Sequence, residues 1–180
     1  MDRTGATQRI RTRAILRHGL VAGLLSGMLF SVAASAAAIL RGQSWMAPLR
    51  LVAAVVLGEE AFQDTYPLTP LFLWGMLLHL LYTVLTGILF AWWVATQPRL
   101  RTSGAATFGV ALLYTLILWL SGFCLLAPLF GWHWFAERTR FLPQFVLQVL
   151  VWGGSLGAYL ALPQVRAALV DNQADGISIR

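Results

Sequence analysis

Lysine is absent from the 180 residues, cysteine occurs once, and charged residues make up only 11% of the chain. Each shortage excludes something. With Cys124 alone there can be no intrachain disulfide, no CxxC redox pair and no cysteine zinc site, which also sets aside the four-span thiol oxidoreductases. Cys124 reads as a small packing residue rather than a nucleophile. A soluble domain carries roughly a quarter charged residues. A chain that is 11% charged and 58% hydrophobic has too little polar material for an ordinary water-facing surface, and a mean hydropathy of +0.71 agrees. All 13 basic residues are arginine. A GC-rich genome favours that bias, and arginine at membrane ends suits phosphate headgroups. The pI of about 10.7 raises the question of nucleic acid. These charges sit at the ends of apolar runs rather than on one soluble face, so membrane topology accounts for them and no nucleic-acid partner is expected.

What the chain does have is four long apolar runs, at 19–40, 71–95, 105–130 and 145–162. Each is long enough to cross a hydrocarbon core at about 1.5 Å per helical residue. Breakers separate them: Pro67 and Pro70, then Pro98, then Gly131 and Pro143, with Pro163 closing the last. A fifth run, 48–57, spans only ten residues before Gly58-Glu59-Glu60 and suits a short re-entrant or interfacial helix. The expected fold class is therefore an all-α membrane protein. It is a four-helix transmembrane bundle with a short helix between helices 1 and 2, a basic segment 1–18, a membrane domain 19–165 and a tail 166–180 that frays over 171–180. The first run also resembles a signal peptide, with Ala34-Ser35-Ala36 as the cleavage-site pattern. Its apolar character continues through Leu40, so it is read as an uncleaved span.

Orientation follows from the arginines. Nine of them (3, 9, 11, 13, 17, 99, 101, 166 and 180) fall on one side of a four-span layout. Arg41, Arg50, Arg138 and Arg140 fall on the other, offset by Glu59, Glu60, Asp64 and Glu137. The positive-inside rule puts the first group, and both termini, in the cytoplasm of a bacterial inner membrane. Trp45, Trp74, Trp132 and Trp134 are placed at the outer boundary and Trp92 and Trp93 at the inner one, while Trp119 and Trp152 are expected to pack between helices.

Gly19, Gly23 and Gly27 form two overlapping GxxxG motifs that Ser31 and Ser35 continue, and helix 4 repeats the device with Gly153, Gly157 and Ala161. Helix 2 carries Gly75, Thr83, Gly87 and Ala91 at the same spacing. Small residues four apart line one face and let a second backbone approach, within one chain or between copies. His79 occupies the remaining step of the helix 2 ribbon, so it is expected to face protein. Intramembrane ionisable groups mark candidate functional sites. Ser121, Gln144 and Gln148 lie at similar depth. The structural reading is a neutral imidazole bonded to Gln148 or Ser121, and the sharper one is a proton-responsive site with Glu59 or Glu60 as partner.

Other chemistries find less support. Glu59, Glu60 and Asp64 with His133 and Glu137 form a candidate divalent-cation cluster whose default is a solvated acidic loop. Gly153-Gly154-Ser155 superficially matches an intramembrane serine protease, but Ser155 and His79 lie in opposite halves of the membrane, so no base is at hand. Bis-histidine haem ligation fails because His18, His79 and His133 lie at three depths. No metal or cofactor is therefore assigned. No Asp or Glu falls in any span, which weakens a proton-coupled transporter.

The segments GLVAGLLSG, HLLYTVLTGILFAWW and LLAPLFGWHWFAE, with the four-run layout over roughly residues 15–165, resemble the YagU-like group of small bacterial inner-membrane proteins. The resemblance implies a four-span fold and a link to acid tolerance. The histidine it would place in the last helix is replaced here by Gln148 and Trp152, so His79 alone is carried over. Three functions follow for testing: a non-enzymatic accessory or stress-related component, alone or oligomeric with itself or a membrane partner; a small transporter or channel using His79; and a membrane enzyme acting on a lipid-like substrate.

Overall fold

The computed structural model describes residues 3–170, with side chains from residue 12 to 169. The tail 171–180 and the side chains of Arg3, Arg9, Arg11 and Arg180 lie outside the described residues. The protein is an all-α bundle, about 87% helical, with four helices long and apolar enough to cross a membrane. Helix α1 runs Arg3–Leu40, α2 Ala47–Leu57, α3 Leu68–Thr96 and α4 Pro98–Thr102. Helix α5 covers Gly104–Leu129, α6 His133–Arg138, α7 Phe141–Leu160 and α8 Pro163–Val170.

Several helices begin before the apolar runs do, and the reasons are local. Pro70 and Pro143 were expected to separate helices, yet each sits in a first turn, of α3 and α7. The first N–H groups of a helix have no intrahelical acceptor, so proline costs nothing there. The fourth span therefore starts at Phe141 rather than 145. Helix α1 extends back through the arginine-rich segment, because arginine is a good helix former whose long stem can lie along an apolar surface. The last span ends at Leu160, just before Pro163, which opens α8.

Two stretches widen to π-helical turns, Gly122–Leu126 in α5 and Val146–Gly153 in α7. The first lies just upstream of Pro128, which has no N–H to donate and whose ring crowds the preceding turn, so the wider turn absorbs the misfit. No comparable proline explains the second.

Helices α1 and α3 run antiparallel in close contact. A Cβ built on Gly19 would stand 2.5 Å from the Ile88 Cα, and one on Gly87 would stand 2.5 Å from the Gly19 carbonyl oxygen. At Gly23 it would run into the Thr83 carbonyl. Only glycine lets two backbones approach this closely. On its other side α1 packs against α7, and α7 against α5. There Gly153 takes the Thr115 hydroxyl and Gly157 takes the Ala111 methyl, 2.8 Å from where its own Cβ would be.

The two ends of the bundle differ. At one, α4 and α8 close over the helices with Leu100, Val165 and Leu169 in the main core; this end carries Arg13, Arg17, Arg99, Arg101 and Arg166. At the other, α2 lies on α3, where Leu49 fills the space beside Gly75. Ala54, Ala61 and Trp134 form a second small core there. Arg50 Nη1 donates to the Ala61 and Gln63 carbonyls at 2.9 and 2.7 Å, tying the 3-10 turn Glu59–Phe62 to α2. Arg138 lies 4.7 Å from the centre of the Phe62 ring. Aromatic contacts continue inward through Trp134, Phe135, Phe123 and Trp119 to Phe141.

Candidate functional site

His79 leaves α3 on the face that meets α1, one step along from Gly75 and Thr83. Its Nε2 lies 2.9 Å from Ser31 Oγ and 3.2 Å from the Gly27 carbonyl oxygen. A carbonyl can only accept, so the Gly27 contact is a hydrogen bond in the tautomer that carries its proton on Nε2. Phe30 stacks against the imidazole at 6.2 Å between ring centres, with 22° between planes. The imidazole is half-buried and bridges two helices.

The expected partners are different ones. Ser121 Oγ donates to Ile117 O of its own helix at 2.8 Å. Gln148 is 8% exposed and meets the Tyr82 hydroxyl. Gln144 is half-buried with no bond to His79. Neither Gln148 nor Ser121 is therefore the partner of His79: an antiparallel α1–α3 pair that sets Gly19 beside Gly87 and Gly23 beside Thr83 brings Ser31 level with His79. The signal was present, since Ser31 continues the four-residue spacing of Gly19, Gly23 and Gly27. What was missing was which helix pairs with which.

Several hydroxyl groups deep in the bundle also bond across or along helices. Ser26 Oγ donates to Ala22 O at 2.7 Å and Thr115 Oγ1 to Ala111 O at 3.1 Å. Tyr114 reaches from α5 to the Thr86 carbonyl of α3 at 3.1 Å. Trp152 is 1% exposed and packs its ring on Tyr82 at 5.4 Å. Its indole N–H, like that of Trp119, is buried without an acceptor. Neither indole was singled out as more than a packing group. Ser155 Oγ bonds back to Val151 O at 2.7 Å, so it is held within α7 rather than presented to a base.

The acidic candidates stay apart. Glu59, Glu60 and Asp64 are exposed, as are His133 and Glu137. Among the described residues no group of three or more His, Cys, Asp or Glu comes close enough to hold a metal ion. Cys124 is exposed on the flank of α5, within the widened turn Gly122–Leu126, which corrects its reading as a packing residue.

At the basic end the arginines close helix termini. Arg166 donates through Nε to Ala161 O at 3.1 Å and through Nη1 to Arg101 O at 2.9 Å. Arg101 Nη2 donates to Thr96 O at 3.3 Å. His18 Nδ1 pairs with the Tyr159 hydroxyl at 3.1 Å, joining α1 to α7. Guanidinium at a helix C-terminus satisfies free carbonyls and complements their partial negative charge.

No family model, curated protein or solved structure matches this chain.

Proposed function

We propose that this chain is a multi-pass protein of a bacterial inner membrane, with its basic end and both termini in the cytoplasm, acting without enzymatic chemistry as an accessory component. One observation carries the reading: the imidazole of His79 holds two helices together through Ser31 and the Gly27 carbonyl. A transport or catalytic histidine needs a second titratable group or a water path at its depth. In hydrocarbon, interhelical bonds of this kind do the joining that apolar contact alone cannot, because lipid tails are as apolar as leucine. Tight glycine seams support the same view, since backbone closes the space between α1 and α3 where Gly19 and Gly23 meet Ile88 and Thr83.

A stress-related role for such a component would rest on the resemblance to the YagU-like group, and the orientation rests on the arginine distribution. Proton flux into liposomes containing the purified protein is the direct test. The expected flux equals that of empty liposomes from pH 5 to 7, for the native chain and for His79→Gln alike. A flux that the native chain supports and His79→Gln abolishes would replace this reading with proton-linked transport. Reporter fusions after Pro67 and after Arg101 test the topology and should report opposite sides.

A further inference from the structure

Toward the basic end the glycine seam stops at Gly19, and larger side chains take over. The two backbones that meet at Gly19 and Ile88 are held apart below that level. The result is a half-open crevice of about 450 Å³. Its walls are Ile15 and Leu16 of α1 and Leu89 and Trp92 of α3, and it opens toward Thr12 and Thr96. The walls are apolar, and Leu16, Leu89 and Trp92 are 48%, 56% and 55% exposed.

A cation stands beside the rim. Arg101 gives one N–H to the carbonyl of Thr96, a residue of the crevice rim. Its Nε is buried without an acceptor, and a guanidinium carries five N–H donors that match a phosphate bidentately. Arg13 and Arg17 follow Thr12 and Leu16 directly on α1, and Arg99 and Arg166 flank Arg101 at the same end. Every Asp and Glu among the described residues, namely Glu59, Glu60, Asp64 and Glu137, belongs to the opposite end. Among the described residues, the basic end therefore presents positive charge with no carboxylate beside it.

We propose that this crevice is a binding site for a single anionic phospholipid, with an acyl chain along Leu16, Leu89 and Trp92 and the headgroup phosphate at Arg101. Basic pockets between spanning helices select anionic headgroups by this combination of an apolar slot and a guanidinium at the headgroup level. The site needs the chain to lie in a membrane. It does not depend on the role of His79 or on the side to which the basic end faces.

The test uses the full chain purified in a neutral detergent and titrated with phosphatidylglycerol or phosphatidylcholine, reading retained lipid by native mass spectrometry and thermal unfolding in parallel. One phosphatidylglycerol should be retained and should raise the unfolding temperature, while phosphatidylcholine does neither. Arg101→Gln should weaken phosphatidylglycerol binding about fivefold, the worth of one arginine at an anionic surface. Leu89→Trp crowds the crevice from an exposed position. It should reduce lipid retention while leaving the lipid-free unfolding temperature unchanged, which keeps the test decisive if Arg101→Gln folds poorly. Arg140→Gln, at the far end, should change nothing. Equal retention of the two lipids would overturn the proposal, as would unaltered binding in Leu89→Trp. So would glycerol phosphate displacing the lipid completely, since that would leave a phosphate site with no acyl slot. A chain that fails to enter lipid nanodiscs would count against the membrane reading instead.

Discussion

The α1–α3 and α5–α7 seams both rest on glycine, but they close in different ways. In the first, backbone meets backbone at Gly19, Gly23 and Gly87, which face the main chain of Ile88, Thr83 and Gly19, while Gly27 takes the Thr83 side chain. In the second, glycine makes room for a side chain, the Thr115 hydroxyl at Gly153 and the Ala111 methyl at Gly157. A side chain can rotate or shift by a fraction of an ångström, whereas a helix backbone cannot yield without moving the helix. Both helices of the second pair also contain π-helical turns, and the first pair has none. The α1–α3 pair is thus the inflexible half of the bundle, and it is the half that positions His79. The α5–α7 pair tolerates local adjustment and carries the aromatic contacts that run to the end where α2 lies on α3.

Substitutions separate the two seams, and the largest effect belongs to Gly23. Gly23→Leu should cost about 3 kcal/mol or prevent folding, because the added atoms meet the Thr83 carbonyl rather than a movable group. Unfolding in mixed micelles measures it. Gly153→Ala should cost about 1 to 2 kcal/mol. Most of that loss should return in the double variant Gly153→Ala, Thr115→Ser, where the Thr115 methyl is gone and the smaller side chain is free to rotate aside. A double variant no more stable than the single one would remove the distinction between the seams. The polar pin comes next: Ser31→Ala should cost about 0.6 kcal/mol, the average for an interhelical hydrogen bond in a membrane bundle. Ser121→Ala should fall within about 0.5 kcal/mol of zero, since that hydroxyl bonds only to its own helix. Equal effects at Ser31 and Ser121 would argue that the His79–Ser31 bond contributes nothing.

Much of this architecture was legible residue by residue. The four spans announce themselves because a helix in hydrocarbon needs an unbroken apolar run and the chain has four of them. The faces that carry Gly19, Gly23 and Gly27, and Gly153 and Gly157, could be read from their period of four, since that spacing returns to one side of a helix. Helix starts were less legible. Pro143 breaks a helix from the inside and begins one from the first turn, and nothing in the neighbouring residues distinguishes the two positions. The π-helical turns left no local mark beyond Pro128 for the first of them.

The partner of His79 marks the boundary between the two kinds of information. The order of residues along the chain determined an all-α bundle with apolar spans, most arginines grouped at one end, and spans free of carboxylates. Which helices touch, and at what register, is a property of the whole chain, because three of the four spans offer a small-residue face and several pairings satisfy the same pattern. The tertiary structure chose α1 against α3 and so set Ser31, rather than Gln148 or Ser121, opposite the imidazole. It also decided where the close approach ends. The crevice below Gly19 exists because two helices held together by glycine must part where isoleucine and leucine replace it, and that parting depends on both helices at once.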